Sequence, residues 1–153
     1  MDDADALFAI YGDPRVWSFL PRGPLADLEA TRARLARMIE TMATRGYGHW
    51  ALVENEGRAL VGSCGFRPGF AEQELEVGFT IAPSRWGLGY ATEIASATLT
   101  LGFERFAAAR IWSLTSPSNL PSRKVLEKIG MRYVEDRDDD GATWAVYVRS
   151  AGE

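Results

Sequence analysis

Residues 85–92 read Arg-Trp-Gly-Leu-Gly-Tyr-Ala-Thr, the segment whose residue types and spacing best suit a chemical task. Gly87 and Gly89, one residue apart, lie between an apolar strand pattern and the first turn of a helical one. The first turn of a helix has N–H groups without carbonyl partners and the positive end of the helix dipole, which suits a phosphate. Glycine adds close approach of a ligand and the unusual dihedrals of an anion nest. Ala91 is small in the same sense, and the Thr92 hydroxyl offers one more donor. The same two glycines would equally serve a tight strand-to-helix turn that binds nothing. A P-loop does not fit, because Tyr90-Ala91 follows Gly89 where Lys-Ser/Thr is needed. A dinucleotide fingerprint does not fit either: the next strand ends at Leu114-Thr115-Ser116 without the required acid.

Other reactive side chains are few. His49 and Cys64 are the only histidine and cysteine, which excludes a His/Cys metal cluster. His49, beside Trp50 on a strand, reads as a surface or packed side chain, with the lining of a pocket as the alternative. Cys64, within Gly62-Ser63-Cys64-Gly65, reads as a buried thiol rather than a nucleophile. Arg32, Arg34, Arg37 and Arg45 read as the solvated face of a helix, and the Glu135–Asp140 run as a solvated hairpin turn.

The elements that must position these residues follow from periodicity. Ala4–Tyr11 is a helix stopped by Gly12-Asp13-Pro14, and Leu28, Leu35, Met38, Ile39 and Met42 mark a second from Asp27 to Gly46. Strands at 48–54, 58–67 and 72–81 pair antiparallel, the first two around the turn Asn55-Glu56-Gly57. A helix over 91–106, with only Glu93, Glu104 and Arg105 charged, is expected to be largely buried. It leads to a strand at 110–115, so strand, crossover helix and strand form a right-handed parallel unit. A helix at 119–128 stops at Gly130, and a hairpin of 131–135 with 143–149 closes the chain. The reading is an α/β (α+β) fold of about six strands and four helices, its sheet mixed and mostly antiparallel.

Composition narrows the function. A chain of 153 residues, 46% hydrophobic and 25% charged, fits one ordered domain over 1–153. A net charge of −4 argues against a general nucleic-acid binder. One cysteine forms no intrachain disulfide, no apolar run approaches the roughly 20 residues of a membrane span, and the opening Met1-Asp2-Asp3-Ala4-Asp5 is acidic. A cytoplasmic protein without membrane contact is expected.

Three motifs then combine: Glu76-Val-Gly-Phe-Thr-Ile-Ala-Pro, Trp86-Gly-Leu-Gly-Tyr-Ala-Thr-Glu, and Asn119-x-x-Ser122-x-x-Val-Leu-Glu-Lys-x-Gly130-Met131. In this order and separation they resemble the GNAT superfamily of N-acetyltransferases, within it the branch of ribosomal-protein acetyltransferases. The resemblance spans Ala4 to Arg149 and is strongest from Glu72 to Tyr133. It implies the GNAT fold, acetyl-CoA as co-substrate, no metal, and acetyl transfer to a primary amine such as a protein N-terminus, an amino acid or a small-molecule amine.

Residue by residue, the resemblance implies a pyrophosphate cradle from the backbone of Trp86, Gly87, Leu88, Gly89, Tyr90, Ala91 and Thr92, with Trp86 and Leu88 replacing polar or basic family residues. It implies that the main chain of Phe79, Thr80 and Ile81 pairs with the pantetheine arm, and that an N–H there polarises the thioester carbonyl. Asn119 corresponds to a pantetheine-binding asparagine and is equally suited to be a helix N-cap. Glu76 is the candidate base, directly or through water, against the plainer reading of a polar strand residue. Where many relatives carry a tyrosine acid this chain has Leu126, so Ser122 is the remaining candidate to hydrogen-bond or protonate the thiolate. The acceptor pocket is expected from the loop Trp17–Leu25, helix 27–44 and the hairpin near Glu135–Gly141. Relatives also open with a strand before the first helix, whereas this sequence starts almost at the helix; an exposed sheet edge that a second copy covers, a homodimer, is the corresponding expectation. Two alternatives stay open: a longer acyl-CoA, or a non-catalytic CoA-sensing or protein-binding domain that kept the cofactor site.

Overall fold

The computed structural model describes residues 3–20, 23–71, 74–139 and 141–153. Helix α1 (Ala4–Tyr11) turns Ala4, Leu7, Ile10 and Tyr11 inward at helical spacing. Helix α2 (Leu28–Arg45) opens on Asp27, whose carboxylate accepts the Ala30 N–H at 2.8 Å, and closes on Gly46 at φ +73°. The two helices share a small apolar cluster of Leu7, Tyr11 and Leu35. They are tied to the sheet where the Tyr11 hydroxyl lies 2.6 Å from Ser63 Oγ.

Strands β1 (His49–Val53), β2 (Leu60–Pro68) and β3 (Glu74–Ile81) run antiparallel. Helix α3 (Tyr90–Arg105) carries the chain across to β4 (Arg110–Thr115), which pairs parallel with β3. Helix α4 (Leu120–Lys128) ends in two hydrogen bonds, Gly130 N–H to Glu127 and Met131 N–H to Leu126, around Gly130 at φ +80°. This is the Schellman closure, and only glycine adopts its left-handed residue without strain. The hairpin β5 (Arg132–Asp139) and β6 (Ala142–Ser150) inserts β6 beside β4, giving the order β1-β2-β3-β4-β6-β5. Among the described residues, six strands, four α-helices and one parallel crossover match the sequence reading.

Strand alternation divides the sheet. Cys64, Phe66, Val77, Ile111 and Tyr147 face α3 and α4 and form the main core with Leu99 and Leu126. Each large side chain wholly buried there contributes roughly 1.5–3 kcal/mol of transfer free energy. His49, Ser63, Gly65, Arg67, Glu76 and Gly78 fall on the opposite face, toward α1 and α2.

Two expectations are corrected. Helix α3 is not largely buried: Ala95, Thr98, Leu99 and Gly102 are, while Ser96, Ala97 and Thr100 are exposed. Small uncharged residues such as Ser96, Ala97 and Thr100 tolerate water as well as they tolerate burial, so a lack of charge does not mark a buried face. At Gly102 the helix comes so near the sheet that an added Cβ would stand 2.5 Å from Ile111 Cδ1 and 2.9 Å from Phe66 Cζ. The acidic run is not a turn either. Glu135, Asp136, Asp138 and Asp139 lie on β5, at the edge of the sheet, where charge discourages pairing with another chain. Glu72 and Gln73, assigned to β3 from sequence, Asp140 of the hairpin turn, and Pro21 of the expected acceptor loop lie outside the described residues.

Candidate active site at the parting of two strands

Among the described residues the β3–β4 ladder holds three positions: Glu74 with Arg110, Leu75 with Ile111, and Glu76 with Trp112. Beyond it β3 keeps its partner β2 and β4 its partner β6. At the point of parting, the Ser113 hydroxyl donates to the Val77 carbonyl at 3.0 Å. Further on, the Trp86 indole N–H donates to the Ile81 carbonyl at 2.7 Å. Both carbonyls therefore point away from β2, and alternation puts the N–H and C=O of Phe79 on this same edge. The Thr80 main chain faces β2 instead: a Cβ added to Gly62 would meet the Thr80 carbonyl at 2.2 Å. This corrects the expectation for Thr80, whose backbone is committed to the sheet. Phe79, together with the Ile81 N–H, carries the open edge.

One 3-10 turn, Pro83–Arg85, carries the chain from this edge to the glycine loop. Gly87 and Gly89 adopt φ +78° and +90°, and nothing lies within 4 Å of a Cβ added at either. Gly89 is the N-cap of α3 and has no side chain to cap it, so the first N–H groups of the helix keep no side-chain acceptor at that position. Trp86 and Leu88 are exposed. The tryptophan at the motif's usual polar position thus folds back to pin the loop to the end of β3.

A second anchor was not read from sequence. Glu54, just after β1, accepts from Arg85 Nε at 2.6 Å, Arg85 Nη2 at 3.0 Å and the Tyr90 hydroxyl at 2.7 Å. The arginine and the tyrosine hydroxyl hold its carboxyl at about 2, far below the usual range. Arg85 and Tyr90 bracket the glycines, so this carboxylate fixes both ends of the loop. Its signal lay in a pairing 31 residues apart, which no local pattern reveals.

Glu76 lies on the sheet face toward α2, mostly buried, and forms an ion pair with Arg67 across β2. Burial raises its pKa, and Arg67 opposes the rise. Its neighbour Glu74 is more buried and fully engaged, accepting from the Trp112 indole at 2.8 Å and pairing with Arg110 at 2.6 Å. His49 is not a surface residue. It stacks over Gly78, where an added Cβ would stand 3.7 Å from its Cε1, and its buried Nδ1 has no hydrogen-bond partner among the described residues. Burial, then the charges of Arg67 and Arg34, lower its pKa to about 4, so the imidazole is neutral near pH 7.

On α4, Asn119 Oδ1 accepts the Ser122 N–H at 3.2 Å, the N-cap role. That bond uses the side-chain oxygen and leaves the amide N–H groups for another partner. Ser122 is half-buried in the first turn, and Leu126, at the position of the family tyrosine, is wholly buried. Cys64 is the inert thiol expected: its Sγ lies 3.3 Å from Thr98 Oγ1, and burial lifts its pKa to about 11. Among the described residues no helix is long and apolar enough to cross a membrane.

Comparison with known proteins places this architecture. The acetyltransferase (GNAT) domain family matches residues 1–132. The Bacillus subtilis (strain 168) protein YkkB is 30% identical over 152 residues, covering 98% of this chain and 87% of its own. The crystal structure of a GNAT-family acetyltransferase from Bacillus anthracis superposes with a TM-score of 0.80 at 29% identity, over 96% of this chain and 87% of that one. A spermidine N-acetyltransferase from Vibrio cholerae, solved with CoA and spermine, shares the fold at a TM-score of 0.80 and 13% identity, over 97% and 90% of the two chains.

Proposed function

Since the chain belongs to the GNAT acetyltransferase family and is an acyltransferase, we propose that it moves the acetyl group of acetyl-CoA to a primary amine by direct attack at the parted strands. The observation that carries this reading is the free edge of Phe79 and Ile81 followed, after one 3-10 turn at Pro83–Arg85, by Gly87 and Gly89. That edge has the donors and acceptors for an extended amide-bearing arm, by strand addition, and the glycine loop has open space where a pyrophosphate must approach backbone. The amide groups of Asn119 face the same arm from α4 in this reading.

The Phe79 N–H holds the thioester oxygen and stabilises the negative charge it gains in the tetrahedral intermediate. Glu76 receives a proton from the amine, directly or through water, as the new N–C bond forms and the C–S bond breaks. The departing thiolate takes a proton from water or, with its hydroxyl as relay, from Ser122. Burial suits Glu76 to the task by raising its proton affinity, and the Arg67 pair opposes that rise.

One observation favours a second reading, a CoA-binding sensor: wholly buried Leu126 replaces the family's tyrosine acid. Release of free thiol from acetyl-CoA, measured with amino acids, amines and N-terminal peptides, separates the two. Turnover with any of them supports the enzyme. Silence across the panel, with saturable CoA binding, supports the sensor. The soluble character of the acceptors and co-substrate fits a cytoplasmic location.

A further inference from the structure

A cleft of about 180 Å³ opens between α2 and the start of the sheet, lined by Arg34, Arg37, Met38, Thr41, His49 and Arg67. Its composition is unusual for a surface of a chain with net charge −4. Three arginines line the cleft beside a neutral imidazole, and of the three only Arg67 has an ion-pair partner among the described residues, Glu76. Arg34 is half-buried, not solvated as its helix pattern suggested. It is held 4.6 Å over the Tyr11 ring, and its Nε is buried without a hydrogen-bond partner among the described residues. His49 Nδ1 is the other orphan, on a residue that lines the same cleft. Buried polar atoms left unpaired cost stability unless a ligand or water satisfies them. The residues that carry these two orphans line one cleft.

The cleft also adjoins the reacting groups. Arg67 joins it to Glu76, and His49 joins it to Gly78, one residue before Phe79. We propose, building on the acetyltransferase reading, that this cleft receives the anionic end of the acceptor, a carboxylate or phosphate carried on the same small molecule as the reacting amine. Planar guanidinium forks bind such oxygens in pairs, and Arg34 and Arg37, one helical turn apart on α2, are spaced to share one anion. His49 adds an uncharged contact from below. Its neutrality matters, because a ring buried beside two arginines adds no further positive charge. The volume falls below the roughly 300 Å³ at which pockets for drug-sized ligands begin, so the acceptor is small. A polyamine such as spermine, with which the Vibrio cholerae enzyme was crystallised, meets like charge here.

Matched acceptors test this. Initial rates of thiol release are compared for an amino acid, its methyl ester, the corresponding decarboxylated amine, an O-phosphorylated amino alcohol and spermidine. The expected result is a kcat/KM at least tenfold higher for the carboxylate or the phosphate than for its uncharged counterpart, and the better of the two identifies the anion. Arg34→Gln and Arg37→Gln are expected to raise KM for the anionic acceptor about tenfold or more, to leave KM for acetyl-CoA unchanged, and to erase the preference over the ester. Equal use of ester and acid, or of spermidine, overturns the inference while leaving acetyl transfer intact. A binding measurement reads the cleft without turnover: calorimetry of the CoA-saturated protein with an N-acetylated amino acid against its neutral amide. Failure of the acid to bind better than the amide, with the variants' thermal unfolding unchanged, also overturns it. Silence across the whole panel with CoA still binding overturns the acetyltransferase reading itself, and this inference falls with it.

Discussion

The Ser113 hydroxyl donates to the Val77 carbonyl at 3.0 Å, at the level where β3 and β4 stop pairing. A side chain thus takes over where a main-chain donor would otherwise continue the ladder. The carbonyl is satisfied, and the strands are free to diverge one residue later. Without that hydroxyl, a buried acceptor is left bare at the mouth of the site. Ser113→Ala is expected to lower stability by about 1–3 kcal/mol in urea denaturation, because the loss includes the desolvated carbonyl. Affinity for CoA should fall as well, since the free edge of Phe79 begins just beyond. An unchanged denaturation midpoint would show that the bond does not hold the parting open.

Glu76 invites a kinetic separation of base from binder. Glu76→Gln keeps shape and hydrogen-bonding capacity but accepts no proton. Turnover should drop at least a hundredfold, the lower end of the range for a positioned general base, with KM for acetyl-CoA unaltered. Burial raises the carboxyl's pKa, so the acid limb of the wild-type rate profile belongs above the ordinary value of 4.5. Rate falls as pH drops through that raised pKa, because the protonated group is no base. The variant should lose the limb, and a profile of the same shape in both proteins would remove Glu76 from the mechanism.

How much of this was legible in the sequence depends on the range of the interaction. Periodicity located the four α-helices and six strands of the described residues, though not the full length of β5, because burial on one face repeats at 3.6 or 2 residues whatever the partner is. The glycine loop was legible for the same local reason: Gly87 and Gly89 need positive φ, and a helix follows at once. The register of β3 was not. Only the pairing with β2 shows that Thr80 turns its main chain inward and that Phe79 is the residue with the open edge. Nor was the Glu54 clamp, whose partners are brought near by a hairpin and a strand. Arg34 shows the limit most clearly. Its helix pattern is that of a solvated residue, and only the position of Tyr11 beneath it turns the guanidinium toward the cleft.

Gly102 is a packing test free of the active site. An alanine there gains helix propensity of about 1 kcal/mol. Its Cβ, however, would stand 2.5 Å from Ile111 Cδ1, a distance at which something must move. Phe66, 2.9 Å away and wholly buried, has no free volume to yield. Overpacking costs roughly 1–3 kcal/mol, so Gly102→Ala should be destabilising on balance. A melting temperature equal to or above wild type would show that α3 can lift from the sheet.

His49 makes stability fall with pH in a window that few other groups share. Its pKa is 6.5 when exposed and about 4 in the fold, where burial and the nearby arginines disfavour the charged ring. The folded state therefore binds the proton less well than the unfolded one. Its contribution is complete above pH 6.5 and is lost as pH falls through about 4. Between pH 7 and 5 the loss amounts to about 2 kcal/mol, before most carboxylates begin to titrate. Glu76 acts with the opposite sign: its raised pKa adds stability at low pH that is lost as pH rises. Comparing wild type with His49→Gln removes that term, since both proteins keep Glu76. Urea denaturation at pH 7 and pH 5 should show wild type losing about 2 kcal/mol more than the variant. Equal losses would mean that the ring is hydrated in solution, and that the cleft over Gly78 is wetter than its unpaired Nδ1 implies.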